Sequence, residues 1–173
     1  MSDDIYREII LDHYRNPRNK GKLPDADIST HDSNPLCGDE IDIHMKIFGD
    51  KITDEKFKCH LTGLDINEEG IKTANQHALD AKITDVKFEG RGCAISQASA
   101  SMLTEMVINK PLTNVKDIAK TDILENIGLT NLGPARVKCA LLALKVMKLG
   151  MVNYLASRDP DSARTLEDDF KSL

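Results

Sequence analysis

The stretch Asn34-Pro35-Leu36-Cys37-Gly38-Asp39-Glu40-Ile41-Asp42-Ile43-His44-Met45-Lys46-Ile47-Phe48 joins a tight turn to an alternating segment. Ile41, Ile43, Met45 and Ile47 interleave with Glu40, Asp42, His44 and Lys46, the period-two signature of a strand buried on one face. Pro35 and Gly38 mark the turn, which carries a thiol and a carboxylate two residues apart. Gly49-Asp50 reads as a second turn, with Lys51–Cys59 as a hairpin partner.

On the N-terminal side, Ile5–Tyr14 predicts a helix capped by Asp3 or Asp4, with Ile5, Ile9 and Ile10 as its apolar side. Asn16-Pro17-Arg18-Asn19-Lys20-Gly21 ends it, and Leu23–Ser33 is polar and extended, with room for a short strand.

On the C-terminal side, Lys51-Ile52-Thr53-Asp54-Glu55-Lys56-Phe57 recurs as Lys82-Ile83-Thr84-Asp85-Val86-Lys87-Phe88, six of seven positions identical at an offset of 31. Between the copies, Ile66–Ala81 has helical character through Ile71, Ala74, Ala78 and Leu79. Two copies are too few for a repeat architecture. The segment 51–81 reads as an extra strand-plus-helix insertion, with chance similarity as the alternative. The second copy runs as a strand into Gly90-Arg91-Gly92-Cys93, and Ala94–Asn109 follows as a helix whose Ala and Ser residues permit close packing. Pro111–Glu125 carries short helical segments and Gly128–Gly133 a loop. Pro134 opens a helix through Leu149, with Leu141, Leu142, Leu144, Met147 and Leu149 as its buried side. The expected architecture is α+β: a small antiparallel sheet with helices packed on one face. One domain would occupy residues 1–150, followed by an acidic helix or tail over 151–173.

Composition restricts the function classes. The chain has 173 residues, 40% hydrophobic and 29% charged, as for an ordinary globular domain. A net charge of −5 with 4% aromatics and no Trp argues against nucleic-acid binding. Met1-Ser2-Asp3-Asp4 has neither a basic n-region nor an apolar h-region. No apolar run approaches the roughly 20 residues of a spanning helix. A cytoplasmic protein without membrane attachment is expected, and there four cysteines point to metal or sulfur chemistry before disulfides.

Cys37, Cys93 and Cys139, with Asp39, each lie at the edge of a predicted element and can close into a four-ligand metal site. Thiolate is the species that binds metal and attacks sulfur. Cys93 just before one helix and Cys139 near the start of another would feel the positive ends of helix dipoles, and Arg136 and Lys138 add charge beside Cys139. Soft sulfur ligands suit zinc or iron–sulfur clusters, and the harder Asp39 suits a site that opens or exchanges. Spacings of 56 and 46 residues between the cysteines match no compact zinc finger.

The flanks say more. His13-Tyr14-Arg15-Asn16-Pro17-Arg18-Asn19-Lys20-Gly21, Asn34-Pro35-Leu36-Cys37-Gly38-Asp39, Gly90-Arg91-Gly92-Cys93-Ala94-Ile95-Ser96 and Arg136-Val137-Lys138-Cys139-Ala140-Leu141-Leu142 resemble the IscU/SufU family of iron–sulfur cluster assembly proteins. The resemblance implies a scaffold that receives iron, and persulfide sulfur from a cysteine desulfurase. On it, a transient [2Fe–2S] cluster forms on Cys37, Asp39, Cys93 and Cys139 and passes to apo-protein acceptors. It also implies that Zn²⁺ often occupies the cluster-free site. Lys138 stands where IscU-like members carry His, and Leu132-Gly133-Pro134-Ala135-Arg136-Val137-Lys138 replaces their Leu-Pro-Pro-Val-Lys chaperone motif. Arg136 and Lys138 look SufU-like, whereas the gap between Cys93 and Cys139 lacks the insertion of zinc-dependent SufU sulfurtransferases. A monomer or weak homo-oligomer is expected.

Cys139 is the expected persulfide acceptor, with Cys37 as the alternative and Arg136 and Lys138 as its cationic helpers. The competing functions are a zinc-bound sulfurtransferase and a structural zinc module. The bland readings are buried free thiols for the cysteines, a turn residue for Asp39 and a surface charge for Arg136. Cys59 beside His60 reads as a strand-end core cysteine, His44 as solvent-facing, and His13 and Tyr14 as anchors of the N-terminal segment.

Overall fold

The computed structural model describes residues 3–48, 81–128 and 132–157. Among the described residues, the alternating stretch becomes the central strand of a three-stranded antiparallel sheet ordered β1-β2-β3, with β1 over Ile28–Asn34, β2 over Asp39–Phe48 and β3 over Lys82–Arg91. Asn34 faces Asp39 across the first hairpin and Ile28 faces Met45 at its far end. On the other side of β2, Glu40 faces Arg91 and Ile43 faces Phe88, with a register shift between Lys46 and Ile47. The polar segment 23–33 thus contributes most of strand β1. The proposed hairpin partner Lys51–Cys59, the helix Ile66–Ala81 up to residue 80 and the first copy of the repeat lie outside the described residues. So do residues 158–173, and with them most of the expected acidic tail. The second copy of the repeat is β3 itself.

Ile28, Ile41, Ile43, Met45, Ile83, Val86 and Phe88 are buried, so one face of the sheet carries the core. Among the described residues, five helices cover that face and each other: α1 (Asp3–Arg15), α2 (Ala94–Val107), α3 (Thr113–Asp117), α4 (Lys120–Ile127) and the long α5 (Pro134–Ala156). α5 lies across β1 and β2, α2 packs on β3 and against α5, and α1 packs on α2. The small residues of α2 allow this sandwiching: Ser96, Ala98, Ser99, Ala100 and Ser101 are all buried, and Ser99 Oγ donates to the Ala140 carbonyl of α5 at 2.5 Å.

Three expectations change. The α1 face that turns inward carries Ile10 and His13, whereas Ile5 and Ile9 are exposed at 44% and 37%. A three-turn helix with apolar residues on two sides does not reveal which side meets the core. α5 runs past Leu149 to Ala156 because Met151, Val152, Tyr154 and Leu155 continue its buried surface, and Leu149 itself is exposed. At 23 residues α5 is also long and apolar enough to cross a membrane, contrary to the sequence expectation, but 72% of its most apolar window is buried inside the protein. It is a core helix.

The segment after α1 is stitched to the rest by polar contacts. His13 Nδ1 lies 2.9 Å from Ser101 Oγ, which also accepts the Arg18 amide at 2.8 Å. Asn19 Nδ2 donates to Thr104 Oγ1, and Gly21 and Asn19 exchange backbone hydrogen bonds with Phe88 on the edge of β3. His13 therefore anchors the N-terminal segment as expected, while Tyr14 is exposed.

Burial, reinforced by Arg18, lowers the His13 pKa from 6.5, with Glu105 and Asp12 opposing. The unfolded chain then binds a proton that the folded chain refuses, so stability is full above about pH 6.5 and falls as pH drops toward the depressed folded pKa. In metal-free protein, urea titrations across this window are expected to show that His13 contribution vanish in His13→Gln, whose overall stability is lower. A slope that persists unchanged in the variant would assign it to other groups.

Candidate metal and sulfur site

The first hairpin builds one half of the site. Asn34 Oδ1 accepts the Leu36 amide at 3.2 Å, and the Asn34 carbonyl accepts the amides of Cys37 at 3.2 Å and Gly38 at 2.8 Å. Gly38 completes the turn at φ +69°, a left-handed conformation that side chains resist. The turn leaves Cys37 exposed and returns Asp39 to β2 fully buried.

β3 and α2 supply the second part. Asp39 Oδ1 accepts the Cys93 backbone amide at 2.9 Å, and the Cys93 thiol lies 3.6 Å from Asp39 Oδ2. Cys93 is the N-cap of α2, as expected, and its sulfur accepts the Ser96 amide at 3.4 Å. Gly92 is required by proximity: a Cβ there would fall 2.8 Å from Asp39 Oδ1 and 3.0 Å from Asp39 Cβ.

α5 supplies the third. Cys139 is 2% exposed; its thiol donates to Cys37 Sγ at 3.0 Å, and Asn34 Nδ2 donates to its sulfur at 3.6 Å. One ligand atom from each of Cys37, Asp39 and Cys139 lies within 4.8 Å of the others. Cys93 joins this trio through its contacts with Asp39. Of the four residues singled out from the sequence, Cys37, Asp39 and Cys139 thus have donor atoms in mutual reach and Cys93 lines the same pocket beside Asp39, and thiols with a carboxylate are donors suited to zinc or to iron–sulfur chemistry.

The electrostatic expectation for Cys139 is overturned. Burial raises its pKa above the thiol value of 9.0, followed by hydrogen bonding with Cys37 and Asp39 and then by charge on Cys93 and Asp39. Helix α5 begins at Pro134, so Cys139 sits in the second turn, beyond the free amides that carry the positive end of the dipole. Arg136 lines the same open pocket of about 530 Å³ as the thiols, together with Arg91. Lys138 instead lines a separate cleft with Leu36, Leu142 and Lys145. Lys138, adjacent to Cys139, points about 100° away from it on the helix, whereas Arg136, three residues earlier, lies on the same side as Cys139.

Two site residues carried no assigned role in the sequence reading. Asn34 holds both the turn and the Cys139 sulfur; an Asn immediately before Pro in a turn was the available signal. Arg91, at the pocket mouth, pairs with Glu40 at 2.8 Å. His44 bonds Ser29 on the sheet's other face, and Cys59 lies outside the described residues.

The sequence profile of the NifU-like N-terminal domain matches residues 5–67 and 71–160, taking in most of the segment 51–81. The chain is 33% identical over 165 residues to the zinc-dependent sulfurtransferase SufU of Bacillus subtilis (strain 168), covering 86% of this chain and 90% of that protein. It is 31% identical over 175 residues to the iron–sulfur cluster assembly scaffold protein IscU of Aquifex aeolicus, covering 96% and 92%. A crystal structure described as an iron–sulfur cluster assembly scaffold protein for the SUF system, from Fervidobacterium islandicum AW-1, superposes with a TM-score of 0.57. That match has 27% identity and covers 87% of this chain and 99% of the other.

Proposed function

The chain belongs to the NifU-like N-terminal domain family, among relatives named IscU and SufU, and from that premise we propose that it is a cytoplasmic iron–sulfur cluster assembly scaffold. Its substrates are iron and persulfide sulfur from a cysteine desulfurase, its product is a labile [2Fe–2S] cluster, and apo-proteins receive that cluster. The observation that carries this reading is the convergence of Cys37, Asp39, Cys93 and Cys139 around one open pocket.

Each residue has a part. Cys37, exposed on the hairpin turn, receives sulfane sulfur first. This departs from the preference for Cys139, which is buried behind Cys37. Cys93, exposed like Cys37, and the buried Cys139 complete the thiol set, and Asp39 is the ligand that exchanges when the product leaves. Arg136 and Arg91 supply positive charge where an anionic persulfide enters. Lys138 lies outside this set and is free to meet a partner.

A second reading is favoured by the similarity to a zinc-dependent sulfurtransferase. The same four residues would hold Zn²⁺, which when bound keeps thiols in the thiolate form. Anaerobic reconstitution with ferrous iron, cysteine and a cysteine desulfurase separates the two. The scaffold reading expects a [2Fe–2S] absorption and Mössbauer spectrum that Cys139→Ser loses and that transfers to an apo-ferredoxin. Tight zinc without cluster, combined with sulfur transfer faster than the desulfurase alone achieves, would replace it with the sulfurtransferase. A metal whose removal only unfolds the chain, with no sulfur accepted, would leave a structural zinc module.

A further inference from the structure

Cys37 and Cys139 have their sulfurs in direct contact at 3.0 Å. Two thiolates sharing one tetrahedral zinc at about 2.3 Å each would stand about 3.8 Å apart, so this pair is set closer than a shared metal requires. A disulfide needs about 2.05 Å, and Cys37 sits on a hairpin turn with its side chain toward solvent, the partner better able to close the gap. Cys139 is covered by Cys37 on one side and held by the Asn34 amide on another. Cys93 is engaged elsewhere, with Asp39 and with the Ser96 amide. Cys37 and Cys93 are both exposed to a sulfur donor, and of these two it is Cys37 whose sulfur atom touches another thiol, that of Cys139.

We infer that the metal-free site reduces bound sulfane sulfur to sulfide with its own thiol pair. A persulfide donor places sulfur on Cys37. Cys139 passes its proton to the outer persulfide sulfur and as thiolate attacks Cys37 Sγ, the sulfur–sulfur bond of the persulfide breaks, and hydrosulfide departs as the Cys37–Cys139 disulfide forms. The balance closes within the site: the Cys139 sulfur is oxidised from the thiol to the disulfide level, the outer persulfide sulfur is reduced from that level to sulfide, Cys37 Sγ exchanges one sulfur partner for another, and the Cys139 proton leaves with the sulfide. A dithiol reductant restores the pair for the next cycle. The step supplies sulfur at the oxidation level a cluster needs, at the place where iron would be held. It rests on the reading that this site accepts sulfane sulfur.

The test uses metal-free, fully reduced full-length protein, freed of small thiols and mixed anaerobically with one equivalent of glutathione persulfide. Released sulfide is trapped and quantified, and cysteine states are mapped by peptide mass spectrometry. Wild type is expected to release close to one sulfide per chain and to acquire an intramolecular Cys37–Cys139 disulfide. Cys139→Ser should keep its persulfide on Cys37 and release about ten-fold less sulfide, the remainder measuring reduction by glutathione itself. Cys139→Ala, which suits the buried position better, should repeat this result, and circular dichroism checks that both variants fold. A persulfide that persists on wild-type Cys37, equal sulfide from the variants, or a disulfide to Cys93 would overturn the inference alone. No sulfane sulfur on any cysteine of any of these proteins would overturn the acceptor reading and the inference together.

Discussion

Asp39→Asn is expected to lose about two orders of magnitude in zinc affinity while the metal-free protein keeps its fold. Structural zinc sites bind with roughly 10–16 kcal/mol shared over four ligands, so one ligand is worth on the order of 3 kcal/mol, about a hundred-fold. The carboxylate has a second task that asparagine can retain. Its Oδ1 accepts the Cys93 amide at 2.9 Å in a fully buried position, and the amide oxygen of Asn offers an equivalent acceptor. Asp39→Ala removes both functions, so the metal-free protein should also lose about 1–3 kcal/mol of stability from the unpaired Cys93 amide. Zinc competition against a chromophoric chelator, with urea unfolding of the metal-free chains, reads the two effects separately. Equal zinc affinity in wild type and Asp39→Asn would make Asp39 a structural acceptor and remove it from the ligand set.

Gly92→Ala is expected to lower zinc affinity by about 10–100-fold, the usual cost of disturbing a group that orients a ligand. The glycine contributes no ligand atom. The added Cβ would meet the carboxyl group and Cβ of Asp39 at 2.8–3.0 Å, against the rigid start of strand β2 rather than a flexible chain end. The carboxylate must move away from Cys93, opening the donor set from behind. Gly38→Ala offers a useful contrast: it has nothing within 4 Å to clash with and strains only the turn at φ +69°. Its effect should appear mainly as lower stability. The same zinc competition checks this pair, and unchanged affinity in Gly92→Ala would show that Asp39 has more freedom than its contacts imply.

Much of this site was legible before any coordinates. The turn residues around Cys37, the glycines before Cys93 and the helix containing Cys139 are local signals, each readable within about ten residues. What escaped reading was non-local. The Asn34–Cys139 contact spans 105 residues and the Cys37–Cys139 contact spans 102. The roles of Arg136 and Lys138 looked alike in sequence, yet they line different pockets once α5 is docked against the hairpin. The N-terminal helix shows the same limit: Ile5, Ile9 and Ile10 were equally apolar, and packing on α2 chose Ile10.

The sequence by itself determined the three described strands, the helices that begin near Cys93 and Pro134, the α+β class and the four candidate ligands, because alternation, turn chemistry and flanking motifs act over short range. Tertiary structure alone decided which sulfurs touch, which thiol is buried and which charges face them. Those properties depend on where α5 and α2 come to rest on the sheet, and that follows from core packing summed over the whole chain. At Cys139 burial raises the thiol pKa against the local expectation, and Lys138, its neighbour in sequence, lines a different cleft.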